Sequence, residues 1–165
     1  MVEQLLHNLT MHVSAKVDYA LRALLELAAT AEKDKSKLTK SDALAEAQHI
    51  PTKFLEGILA TLRNSGFLMS QRGAEGGYRL AKDPADIHVA DVMRALEGPI
   101  AAVRGERPED LDYSGTAEHL REVWVATRAA LRTVLEVVTL ADIQRGQLPK
   151  SVTKLLETPG AWERR

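Results

Sequence analysis

Apolar residues recur every three or four positions along most of the chain, and the breaks in that rhythm mark its elements. From Val13 to Ala29, the residues Val17, Ala20, Leu21, Leu24, Leu25 and Ala28 share one helical face behind Ser14, which is placed to cap the first turn. The charged segment from Ala31 to Lys37 reads as a loop, and Leu38 to Ala47 as a short helix with Thr39 or Ser41 near its start. Gln48, His49 and Ile50 turn the chain into a helix opened by Pro51, whose ring suits a first turn. Phe54, Leu55, Ile58, Leu59 and Leu62 give that helix one apolar face, and Asn64-Ser65-Gly66 stops it. The period then changes. Phe67, Leu68 and Met69 read as a strand and Tyr78 and Leu80 as its partner, with Arg72, Gly73, Gly76 and Gly77 in a flexible tip.

Asp83-Pro84 breaks the chain, and Ile87 to Leu96 returns to helical spacing with Val89, Val92, Met93 and Leu96 inward. Residues 99–115 carry six charged residues, Pro108 and two glycines, and read as a loop long enough to suggest a function. Thr116 to Ile143 is predicted to be the longest helix. Leu120, Trp124, Thr127, Leu131, Val134 and Val138 form its main stripe, while Val125, Val137 and Leu140 fall off it. More than one face must then be covered, either by the same helix of a second subunit or by the chain's own core. Ser151 to Leu156 adds a last helical turn. The expected organisation is a mobile leader (1–10), a winged helix-turn-helix domain (11–82), a connecting helix (83–98), a sensor loop (99–115), a dimerisation helix (116–145) and a tail with a short helix (146–165). The fold class is mainly α with a small β-hairpin wing.

Composition narrows the function. A hydrophobic share of 45% over 165 residues supports a real core. No apolar run approaches the roughly 18 residues of a membrane span, and the first ten residues lack the pattern of a secretory signal, so a cytoplasmic protein is expected. The net charge of −1 hides an asymmetry. Residues 11–82 hold 11 Lys and Arg against 8 Asp and Glu, residues 83–165 hold 11 against 14, and Glu3 supplies the rest. A basic front suits an end presented to phosphates. There is no cysteine, which excludes disulfides, thiolate zinc sites and cysteine-ligated clusters. No nucleophile elbow, phosphate-binding glycine loop or metal-spaced cluster stands in the sequence, so neither catalytic residues, metal ligands nor cofactors are expected.

A helix running into a cationic hairpin is the winged helix-turn-helix plan, in which the helix fits a major groove and the loop reaches the neighbouring minor groove. The residues sharpen this. Met11 to Lys16 followed by Tyr19 to Leu24, then Phe54-Leu55-Glu56, Arg72-Gly73 with Gly76-Gly77-Tyr78, Leu96-Glu97-Gly98, Val123-Trp124 and Thr139 to Asp142 resemble the Rrf-two family of transcription regulators of the IscR, NsrR and CymR types. The resemblance covers about residues 11–145. It implies a homodimer on a palindromic double-stranded operator, acting as a repressor, with half-sites about one helical turn apart. Carried over position by position, DNA-reading residues fall at Thr52, Lys53, Phe54 and Glu56 on the helix and at Arg72 and Gly73 on the wing. Ser14, Lys16 and Tyr19 would hold phosphates. Pro51 departs from the family's usual serine cap.

Many members of the family bind an iron–sulfur cluster through three cysteines after the Glu-Gly pair. That loop has none here, and Asp18, His12 and His119 cannot replace three thiolates. The loop's Arg104, Arg107 and Tyr113 are instead expected either to bind a small anionic effector or to tie the loop to the long helix or to the partner subunit. Constitutive DNA binding, controlled by protein level or a protein partner, is the third alternative. The rival to a DNA-binding regulator is a winged-helix module that contacts only protein.

Overall fold

The computed structural model describes residues 13–164; the expected leader (1–10) and His12 lie outside the described residues. Seven α-helices and one hairpin follow in chain order among them: α1 Ala15–Lys33, α2 Ser41–Gln48, α3 Thr52–Asn64, β1 Leu68–Gln71, β2 Gly77–Leu80, α4 Val89–Glu97, α5 Leu120–Leu135, α6 Leu140–Arg145 and α7 Lys150–Leu156.

The Ser14 hydroxyl accepts from the Val17 backbone N–H at 3.2 Å and starts α1 as expected. The helix then runs on to Lys33, through the first half of the predicted charged loop, because Glu and Lys propagate a helix already nucleated by an apolar face. Val17, Ala20, Ala23, Leu24, Leu27 and Ala28 are buried, and α1 is the central post on which α2, α3, α4, α6 and β2 pack. The turn between α2 and α3 is made by His49 in the left-handed conformation (φ 51°) and by buried Ile50, whose N–H donates to the Ala45 carbonyl at 2.9 Å. Pro51 is the residue before α3 rather than its first helical one.

Leu55, Ile58, Leu59 and Leu62 seat α3 in the core, but Phe54, expected on the same face, is 66% exposed. Gly66 takes the positive φ (79°) that turns α3 into the hairpin. β1 and β2 pair antiparallel with Leu68 opposite Leu80 and Gln71 opposite Gly77. The loop before α2 adds a third edge: Thr39 and Tyr78 exchange both backbone hydrogen bonds, at 2.9 and 2.8 Å. A Cβ on Gly77 would stand 2.7 Å from the Thr39 carbonyl oxygen, so only glycine admits that approach.

The single helix expected over Thr116–Ile143 is two helices, and the longest helix among the described residues is α1, with 19 residues against 16 in α5. The chain leaves the helical path between Glu136 and Thr139, where Val137, Val138 and Thr139 are consecutive β-branched residues. A capping box then restarts it: the Asp142 N–H donates to the Thr139 hydroxyl at 3.2 Å, and the Thr139 N–H donates to the Asp142 carboxylate at 2.9 Å. The Thr139 N–H, and after it the Thr139 hydroxyl, which donates to the same carboxylate at 2.7 Å, hold the Asp142 carboxyl below its ordinary range. Extended pairing also fixes the break, since Val89 N–H donates to the Val138 carbonyl and Leu140 N–H to the Ile87 carbonyl, both at 3.0 Å. Leu140 thereby enters the core around α1. Val138, expected on the dimer stripe, is buried with Val89 and Val152 instead.

Candidate nucleic-acid interface

Burying one face of α3 commits the other to solvent. Thr52, Lys53, Phe54, Glu56 and Gly57 are all exposed, and among the described residues no side-chain hydrogen bond or ion pair engages Lys53 or Glu56. A phenyl ring two-thirds in water has no packing role in the chain, so its position suits contact with something outside it. Arg72 and Gly73 open the exposed wing tip, and no ion pair of Arg72 occurs among the described residues. A groove joins the wing to α2 and the end of α3; Lys40, Ser41, Arg63, Ser70, Gln71 and Arg72 line it. Three cations and three neutral donors share that concave strip with one carboxylate, Asp42, so the strip stays net positive and suits phosphate. Lys40, Arg63, Ser70 and Gln71 were not singled out from the sequence. Lys40 and Arg63 lie 23 positions apart, and only the fold brings them beside the hairpin.

The phosphate contacts expected at the start of α1 are placed differently. The Ser14 hydroxyl donates to the Glu97 carboxylate, and Lys16 Nζ donates to the Leu96 carbonyl at 3.2 Å. Tyr19 is half-buried with the Arg22 guanidinium 5.5 Å from its ring centre, while Arg22 also holds the Gln48 carbonyl and Asp18. These side chains thus fasten α1 to the end of α4 and to the α2–α3 turn.

α5 is amphipathic and yet carries no buried residue. Leu120, Val123 and Leu131 are exposed, and Trp124, Thr127 and Val134 are half-covered. Its inner side rests on a turn of 3-10 helix at Pro108–Asp110, where Pro108 and Leu111 are buried. The loop before it divides the expected effector residues. Arg104 stacks over Tyr113 at 5.8 Å, whereas Arg107 lines a separate cavity with Arg94, Arg128 and Arg132. No helix among the described residues is long and apolar enough to cross a membrane.

Comparison with known proteins agrees with this geometry. The family model Rrf2, described as an iron-dependent transcriptional regulator, matches residues 13–146. Rv1287 of Mycobacterium tuberculosis, provisionally named an HTH-type transcriptional regulator, is 46% identical over 153 residues covering 93% of each chain. The solved structure of CymR, the global cysteine regulator of Bacillus subtilis, is 34% identical with a TM-score of 0.67, over 83% of this chain and 98% of that one. The structure of T. potens IscR is 30% identical with a TM-score of 0.65, over 87% and 96%. The iron in the family's description finds no fit in these residues. Every thiolate is lacking, and no group of three His, Asp or Glu side chains converges among the described residues.

Proposed function

The chain belongs to Rrf2, the Rrf-two family of non-enzymatic DNA-binding transcriptional regulators, and from that footing we propose that it represses transcription as a cytoplasmic homodimer on a palindromic operator. The exposed face of α3 carries the reading, because Thr52, Lys53, Phe54 and Glu56 stand clear of their own chain on the helix whose far end, at Arg63, lines the cationic wing groove. In this reading Glu56 accepts from a cytosine amino group, Lys53 donates to guanine or phosphate, and Arg72 enters a narrow minor groove. Gly73 lets the wing backbone approach the duplex. Lys40 and Arg63 hold the phosphates between those two contacts. The organisation follows: residues 13–82 read DNA, α4 connects, and α5 pairs with its copy through Leu120, Trp124, Thr127, Leu131 and Val134, setting the two α3 helices about one helical turn apart. Control then falls to the loop 99–115, without an iron–sulfur cluster.

Fluorescence anisotropy on operator duplexes, selected from random DNA by the purified protein, tests this over a range of salt. Several neutralised phosphates require affinity to fall steeply, by about 0.9 log units per phosphate for each tenfold rise in salt. An enriched palindrome with such a slope is the expected result. No enriched sequence, with DNA affinity flat in salt, would leave the winged domain as a protein-binding module.

A further inference from the structure

Four arginines from three segments converge on one cavity of about 390 Å³ between the end of α4, the loop behind it and the middle of α5. Arg94 comes from α4, Arg107 from the loop, and Arg128 and Arg132 from α5, with Pro99 and Ile100 forming an apolar wall. Like charges do not gather so without anions between them. Three carboxylates serve the four cations: Asp91, which pairs with Arg94 at 3.1 Å, Glu136 and Glu109. Arg94 and Arg132 both donate to Glu136, the latter at 2.7 Å, and Arg128 pairs with Glu109. Arg107 has no ion-pair partner among the described residues, and the side chain of Arg128 is only 17% exposed.

We propose that this cavity is a binding site for a compact dianion, a dicarboxylate or a phosphate group, held by Arg107, Arg128 and Arg132 in place of the internal carboxylates. Guanidinium groups grip such oxyanions with paired N–H donors, and the apolar wall accepts a short carbon skeleton. Occupancy would act on both attachments of the DNA-reading unit. Gly98, in the wall, follows directly on Glu97 and Leu96, which clasp Ser14 and Lys16 at the start of α1. Glu136, the internal competitor, caps α5 and precedes the turn into α6, which packs on α1. The regulatory half of the proposal rests on the DNA-reading function above; the binding half does not.

The test titrates the full-length protein with sodium succinate and, separately, with inorganic phosphate, by calorimetry at constant ionic strength set with chloride. Saturable binding of one or both is expected, and which one binds assigns the ligand as dicarboxylate or phosphate. Arg107→Gln should weaken it at least tenfold without changing the ligand-free melting temperature, because that side chain has no ion pair to lose. Glu136→Gln, which removes the competitor, should tighten it severalfold. A second readout follows operator affinity, which should shift about tenfold on saturation in the wild type and not in Arg107→Gln. No saturable binding beyond the chloride control, or weaker binding in Glu136→Gln, overturns the site. Binding that leaves operator affinity unchanged overturns the coupling. A chain that binds no DNA at all would refute the function while the calorimetry still decides the site.

Discussion

Gly57 sits in mid-α3 on the exposed face, and Gly57→Ala should raise stability while lowering operator affinity. A Cβ built there meets nothing within 4 Å, so the substitution is free of strain inside the chain. Glycine in a helix interior costs about 0.5–1 kcal/mol relative to alanine. For a chain of this length that gain should lift the melting temperature by roughly 1–4 °C. The same methyl projects beside Lys53, one turn away, on the face assigned to the major groove. Crowding a close-packed contact costs about 1–3 kcal/mol. In binding that is roughly a 5- to 150-fold loss. Calorimetric melting and anisotropy titration on one operator, at one salt concentration, read the two effects separately. A higher melting temperature with undiminished affinity would show that the middle of α3 does not approach the bases, and would refute the docking. An unchanged or lower melting temperature would refute the helix conformation itself.

Three further outcomes are expected. Arg72→Ala and Glu56→Ala should each cost about 1–3 kcal/mol in operator binding, the first relaxing preference where the wing inserts and the second at a major-groove position; wild-type affinity in both, by anisotropy, would rule out the docking. Leu131→Asp should give monomers by light scattering, because a carboxylate in an apolar interface costs several kcal/mol, on the order of a whole side-chain contact; an unchanged dimer would move the interface off α5. Asp142→Ala removes the capping box and should cost about 1 kcal/mol at neutral pH. Because the folded state depresses the Asp142 pKa, the stabilisation is complete above the ordinary carboxylate value and fades as pH falls through the lowered folded one. Urea denaturation should therefore show wild type and variant converging in acid, and a constant gap down to about pH 3 would refute the cap.

The winged domain was legible in the sequence because its signals are local. Ser14 caps α1, Gly66 turns α3 into the hairpin, and four of the five apolar positions chosen on α3 are buried. Phe54 was the exception, since a residue in the first turn can face either way and periodicity cannot tell a core ring from one held out for a partner. The split of the predicted long helix was hidden for a related reason. Val137, Val138 and Leu140 keep the apolar rhythm going straight through the break, and only the Thr139–Asp142 cap, three residues apart, marks a restart. Lys40 and Arg63 carry no local signal, because their meaning depends on the hairpin that the fold sets beside them in the groove they share.

That break also decides how a dimer contact at α5 could reach α3. An unbroken helix through Ile143 would carry Leu140 away along the helix axis as one rod. The turn at 136–139 instead folds α6 back onto α1, with Leu140 in the same core as Leu55 and Leu59 of α3. The turn is itself pinned to α4, through the hydrogen bonds of Val89 to Val138 and of Leu140 to Ile87. A change in the tilt of α5 therefore cannot be absorbed by a loose linker; it is delivered to a close-packed core, which shifts as a unit rather than deforming. The Arg94–Glu136–Arg132 bridge spans the outside of that joint, tying α4 to the end of α5. In the proposed dimer, loosening the bridge would free the tilt, and holding it would fix the spacing at which two copies present α3 to DNA.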